Sequence, residues 1–197
     1  MSLPGEPAAP EERWRCFVAV TLGDPTRAAL IEYLERLRAT VAGVGWTRPE
    51  NLHLTLKFLG DVAPARVPSL TERLRLAVAA EPAFTARVGG VGAFPSLARP
   101  QALWIGVGSP RVAALAAAVE SACEREGFEP ERRPFRPHVT LGRVRDRRPR
   151  PDLSFLARDG DRELGIAPVA DVVLFRSELQ ARGARHSVLA RLPLAPA

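Results

Sequence analysis

Lysine is nearly missing from this chain of 197 residues. Lys57 stands alone among 28 basic side chains, so arginine carries almost all of the net charge of +6. Alanine and proline are abundant as well, which points to a compositional bias acting on the whole sequence. The basic balance therefore suits an anionic partner without naming one. Cysteine is scarce too. Cys16 and Cys123 lie far apart and form no C-x-x-C pair, a pattern that does not suggest a disulfide scaffold or a zinc site and predicts buried thiols in a reducing compartment. No stretch has the length and apolarity of a membrane helix. Met1 to Glu12 lacks the basic start and apolar run of a signal peptide. The expectation is a disordered leader over 1–12, one domain over 13–197, and a cytoplasmic monomer.

Histidine is equally rare, and its distribution is informative. Two of the three histidines sit in matched settings, His53-Leu54-Thr55-Leu56 and His138-Val139-Thr140-Leu141, 85 residues apart. On a strand, alternate side chains share a face. His53 and Thr55 then face one way, Leu54 and Leu56 the other, and the second tetrad repeats the pattern. A polar pair on an otherwise apolar strand builds a poor core and a good cleft wall.

The interval of 85 extends beyond the tetrads. Leu22-Gly23-Asp24-Pro25 falls on Val107-Gly108-Ser109-Pro110, Ala28-Ala29-Leu30 on Ala113-Ala114-Leu115, and Arg48-Pro49 on Arg133-Pro134. This is the mark of an internal duplication. In each half an apolar strand (Phe17–Leu22, Leu103–Val107) leads to a helix, a loop and the H-x-T-x strand. Asp24 and Pro25 read as N-cap and first helical residue, with Leu30, Leu34, Leu37 and Val41 at helical spacing. Residues 64–80 read as a second helix, 84–91 as a strand, and Ser109 as the cap of a helix ending near Glu126. Val169–Arg176 and His186–Leu192 read as strands joined by a loop over 178–185. The predicted fold is α+β: two similar lobes from the duplication, each an antiparallel sheet with helices packed outside, around a central cleft.

Two imidazoles facing each other suit the proton transfers of phosphodiester cleavage. Histidine titrates near neutrality, so one ring can accept a proton from water while the other donates to the departing oxygen. The threonine hydroxyls can bind the nonbridging oxygens, where charge builds in the transition state. Nothing in the residues alone says which histidine is acid and which is base. A histidine pair can also hold zinc, but no H-E-x-x-H, cysteine cluster or nearby acidic group accompanies this one, so neither metal nor other cofactor is expected.

The motifs resemble those of the 2H phosphoesterase superfamily, named for paired H-x-[ST]-x motifs, and within it the RNA 2′,3′-cyclic phosphodiesterases (2′-5′ RNA ligase-like). The likeness rests on Phe17–Val20, on the run from Trp46 to Gly60, on the run from Arg133 to Arg143, and on Leu174–Leu179. It implies metal-independent hydrolysis of an RNA 2′,3′-cyclic phosphate end to a 2′-phosphomonoester. His53 would be the proton donor, His138 the proton acceptor, and Thr55, Thr140 and Arg143 would bind substrate. In a regular strand Arg143, five residues past His138, points away from it, and it reaches the phosphate only if the strand ends, bends or bulges. The basic run 143–150 is either a guide for the RNA backbone or a solvated arginine loop. His186 stands where the family carries tyrosine; it either lines the groove and tunes the other two histidines or, the favoured reading, replaces an aromatic ring in packing. A small cyclic nucleotide or ADP-ribose cyclic phosphate as substrate, or a non-catalytic RNA- or nucleotide-binding module, are the alternative readings.

Overall fold

The computed structural model describes residues 12–145, 150–181 and 183–197. The expected leader, apart from Glu12, and residues 146–149 of the basic run lie outside the described residues. Along the chain come β1 (Trp14–Val20), α1 (Thr26–Thr40), β2 (Val44–Trp46), β3 (Leu54–Val62), α2 (Val67–Val78) and β4 (Phe84–Ser96). Then follow β5 (Arg99–Gly108), α3 (Pro110–Arg125), β6 (His138–Val144), the short α4 (Phe155–Arg158), β7 (Glu163–Val169), β8 (Asp171–Gln180) and β9 (Gly183–Pro193).

The strands form one antiparallel sheet in the order β7-β4-β5-β6-β3-β1-β8-β9, with β2 added on β6. Its centre is a single paired position, Leu54 opposite Val139. These residues are 85 apart and follow the two histidines, so the pseudo-twofold axis of the duplication passes between them. On one side β3, β1, β8 and β9 pack with α2 and α3. On the other, β6, β5, β4, β7 and β2 pack with α1 and α4. The repeats exchange parts. β1 leads into α1, which lies against β7 and β2 of the opposite lobe, while β5 leads into α3, which lies against β3 and α2. Each lobe is therefore built from both halves of the sequence, and neither can bury its helices alone.

Burial follows the alternation of the strands. Val18, Val20, Leu54, Leu103, Ile105, Val139 and Leu141 join the main core beneath the helices. Phe17, Ala19, Val173 and Phe175 form a second, smaller cluster on the concave face. Leu30, Tyr33, Leu34 and Leu37 give α1 its buried stripe.

Three local expectations are corrected. Asp24 does not cap α1. The Asp24–Pro25 peptide is cis, the helix starts at Thr26, and the Arg27 and Ala29 amides bond to the Gly23 and Pro25 carbonyls. The Arg27 amide is thus taken by a backbone carbonyl, and the N-terminus of α1 carries no side-chain cap. Ser109 does cap α3, accepting from the Arg111 amide. Second, the segment 178–185 is mostly hairpin: Glu178 faces Arg185 and Leu179 faces Ala184 across β8 and β9, an opposite-charge and an apolar pair that extend the ladder. Third, β2 forms in the stretch that reads as the loop before the first H-x-T-x strand, and β7 in a stretch to which the sequence reading assigns no element. Both are short or glycine-bearing strands that add to the edge of a longer strand already in place.

Candidate active site

His53 is the last residue before β3 and His138 the first of β6. Continuing the antiparallel register from Leu54 and Val139 sets His53 across from Thr140 and Thr55 across from His138. Diagonal neighbours on adjacent antiparallel strands lie roughly 7–8 Å apart, a gap that one phosphoryl group spans.

The two rings are anchored alike. His53 Nδ1 donates to the carbonyl of Asn51 at 2.7 Å, and His138 Nδ1 to the carbonyl of Arg136 at 2.6 Å. Each acceptor lies two residues upstream, in a segment shaped by proline: Pro49 in a 3-10 turn, and Pro134 and Pro137. With the proton held on Nδ1, Nε2 is the free nitrogen of each ring. It is an acceptor in the neutral form and a donor in the charged form. Aromatic rings set the planes. His53 stacks on Phe17 at 4.7 Å, and His138 meets Phe94 edge to face at 4.9 Å with Trp104 behind. Trp104 in turn lies over Gly92, where a Cβ would fall 2.3 Å from its ring.

A bulge on each strand decides what else reaches the cleft. Between the pairs Ala19–Thr55 and Val18–Lys57, Leu56 is left without a partner. Between Trp104–Thr140 and Leu103–Gly142, Leu141 is left out. Leu56 and Leu141 are again 85 apart. Each bulge inverts the parity beyond it. Arg143, paired with Ala102, thereby returns to the face of Thr140 and Trp104, which answers the parity question the sequence raised. Its exposed guanidinium has no partner among the described residues. The equivalent residue in the other half is Phe58, which sequence reasoning missed. It is 67% exposed, pairs with Phe17 and lies 6.2 Å from that ring. The same inversion turns Lys57 into the helix side, where it meets Glu120 and the Glu129 carbonyl. The hydroxyls of Thr55 and Thr140 have no hydrogen-bond partner among the described residues.

His186 packs as an aromatic would, edge-on to Phe17 at 4.9 Å. It also touches His53, 5.5 Å between centroids. Burial, then the His186 and His138 charges, push the His53 pKa down to about 4 against the opposing pull of the Asn51 carbonyl. His138 and His186 are lowered as well, in each case chiefly by burial. All three are therefore neutral near pH 7 in the empty cleft. Among the described residues no three His, Cys, Asp or Glu side chains converge as metal ligands, so no residue set is assigned to a metal or cofactor.

A family model described as the 2′-5′ RNA ligase superfamily matches residues 24–178. The chain belongs to this superfamily. Among its relatives, an RNA 2′,3′-cyclic phosphodiesterase of Archaeoglobus fulgidus is 36% identical over 171 residues, 86% of this chain and 94% of the relative. Another of that name, from Aeropyrum pernix, is 35% identical over 167 residues, covering 81% and 94%. The crystal structure of TT0787 of Thermus thermophilus superposes with a TM-score of 0.78 at 29% identity, over 92% of this chain and 98% of that one. E. coli LigT complexed with 3′-AMP gives 0.73 at 26%, over 93% and 99%. Membership agrees with the resemblance carried by the two H-x-T-x tetrads and with the bilobal α+β fold. In this superfamily member no helix among the described residues is long and apolar enough to cross a membrane.

Proposed function

We propose that the protein hydrolyses the 2′,3′-cyclic phosphate at an RNA end to a 2′-phosphomonoester, with His53 and His138 as the proton-transfer pair and without a metal ion. The observation that carries this reading is the mirrored anchoring of the two rings, each with Nδ1 on a carbonyl two residues upstream and Nε2 left free. The names of the relatives support the substrate.

The cyclic phosphate sits on the pseudo-twofold axis. His138 accepts a proton from the attacking water through Nε2, and the P–O bond to the 3′ oxygen breaks as His53 protonates that oxygen. The acid role follows the superfamily resemblance. It requires an imidazolium that the empty cleft does not hold, since burial and His186 keep His53 neutral. The bound phosphate supplies the missing counter-charge and draws a proton onto His53 as it enters. Thr55 and Thr140 donate to the nonbridging oxygens, and Arg143 adds charge on the same face. Phe58 offers the base a stacking surface beside the sugar. Cys16 and Cys123 take no part: both are buried, and burial pushes their thiols up to about 11 and about 12.

The test is turnover of an oligonucleotide ending in a 2′,3′-cyclic phosphate, with the product end group identified. His53→Ala and His138→Ala each lower kcat by about two to four powers of ten while the folded near-UV spectrum is kept. EDTA leaves turnover unchanged, and the product carries a 2′-phosphate. Near wild-type turnover in both variants would falsify the assignment.

A further inference from the structure

We infer that the polar pocket beside His53 receives the phosphodiester immediately upstream of the cyclic-phosphate nucleotide, and so favours RNA ends over mononucleotides. This rests on the reading of His53 as donor to the 3′ oxygen.

The pocket is a cavity of about 290 Å³ lined by Arg48, Glu50, Asn51, Gln180, Arg185 and His186. It adjoins the catalytic cleft, because His186 forms part of its lining and also touches His53. Asn51 ties the two together. Its carbonyl holds His53, and its side-chain amide donates to the Ala184 carbonyl at 2.7 Å. A group seated here is thus fixed relative to the imidazole. The equivalent position in the other half is Arg136, so the duplication supplies no second pocket of this kind through an asparagine.

The chemistry of the lining selects a sugar-phosphate rather than a base. Two guanidiniums and two amides face one carboxylate, and that carboxylate, Glu50, is paired with Arg48 at 3.6 Å. The Arg185 guanidinium has no partner among the described residues. The residue across from it, Glu178, is paired with Arg176 at 3.1 Å. The apolar surface for a base lies at the other end of the histidine strand, at Phe58.

Ribose stereochemistry gives the direction. The upstream phosphate hangs from C5′, which is bonded to C4′, the neighbour of C3′. The base hangs from C1′, beyond C2′. With the 3′ oxygen at His53, the strand leaves past His53 on the side of residues 48–51, and the base lies toward the opposite end of the sugar.

The experiment compares kcat/KM for a 2′,3′-cyclic-phosphate dinucleotide with that for the cyclic mononucleotide. The wild-type protein is expected to favour the dinucleotide about tenfold, the scale of one charge-assisted contact. A dinucleotide whose linkage is a neutral methylphosphonate falls to the mononucleotide level. Arg185→Ala brings the dinucleotide-to-mononucleotide ratio close to one, and Arg185→Lys restores part of it. Added salt narrows the wild-type ratio. Equal loss on both substrates in Arg185→Ala, or a methylphosphonate turned over as fast as the phosphodiester, overturns the inference. Absence of turnover on every cyclic phosphate overturns the proposed function itself, and this inference with it.

Discussion

His53 and His186 meet edge to face, their centroids 5.5 Å apart and their planes at 81°, over a shared floor of Phe17 and Phe175. Arg15 on β1, Thr55 on β3, Ser177 on β8, and His138, Thr140 and Arg143 on β6 are polar groups of the same face. Arg48, Glu50 and Arg185 stand around the adjoining pocket. Of the carboxylates nearby, Glu50 is held by Arg48, and Glu178, across from Arg185, is held by Arg176. Two imidazoles in this setting do not both carry charge, and His53, the more deeply buried, is the harder to protonate.

Replacing His186 by phenylalanine keeps a ring on Phe17 and removes the like charge. The His53 pKa should then rise from about 4 without reaching the ordinary 6.5, because burial, the first cause of the shift, remains. A general acid works in its protonated form, so the descending limb of the pH–rate profile should move to higher pH in His186→Phe. Titration of the His53 ring protons by NMR reads the same change directly. A profile that superposes on wild type would mean that His186 only packs.

Phe58 and Arg143 occupy equivalent positions after equivalent bulges, and they should fail differently. Arg143→Ala removes charge from beside the phosphate and should lower kcat by about two powers of ten, the usual scale for one such donor. Phe58→Ala removes a stacking face worth about 1–3 kcal/mol and should raise KM about tenfold with kcat little changed. Steady-state kinetics on one cyclic-phosphate oligonucleotide separates the two. A kcat effect in Phe58→Ala would place that ring nearer the reacting atoms than the register does.

Lys57 should matter for stability rather than for chemistry. Its ammonium is buried between Glu120 and the Glu129 carbonyl. Lys57→Met leaves Glu120, which is partly exposed and still accepts from the Glu131 amide, without its cation, a loss of about 1–3 kcal/mol. The double variant Lys57→Met, Glu120→Leu should recover much of it. Urea unfolding of the three proteins checks this. A single variant as stable as wild type would remove the ion pair from the forces holding the bulge.

Much of the site was legible because chemistry was written in repeat register. The tetrads, their spacing and the shared helix–loop order all survive as the Leu54–Val139 axis. What the sequence hid was geometry created by single residues. The bulges at Leu56 and Leu141 depend on how β3 and β6 fit curved neighbours, and no local pattern announces them. Without them Arg143 points away and Phe58 reads as core. Lys57 stands out in the sequence only as the lone lysine, and its burial against α3 follows from the bulge. The exchange of α1 and α3 between lobes is equally silent, since both helices show the same apolar stripe whichever sheet they cover. His186 was visible as a departure, but its contact with His53 required the β8–β9 hairpin to extend to residue 180, where a loop was expected.

The depressed histidines also make a prediction about acid. In the unfolded chain each titrates near 6.5, whereas folded His53 titrates at about 4. Between these values the unfolded state binds more protons, so stability falls as pH drops through this window and is fully present above it. A gap of about 2.5 units corresponds to about 3 kcal/mol for His53 at most. His138 and His186 add in the same direction. The carboxylates act elsewhere: Asp159, held down to about 2 chiefly by Arg158 and also by Tyr33 and Arg162, loses its contribution only below about pH 4. Melting temperatures measured from pH 7 to pH 4 should therefore fall steeply for the wild type and less steeply for His53→Gln. Inorganic phosphate, by binding the protonated cleft, should flatten the wild-type slope and leave that of the variant nearly unchanged. Equal slopes for the two proteins without phosphate would show that His53 is not held neutral by its surroundings, and the proton uptake on which the acid role depends would go with it.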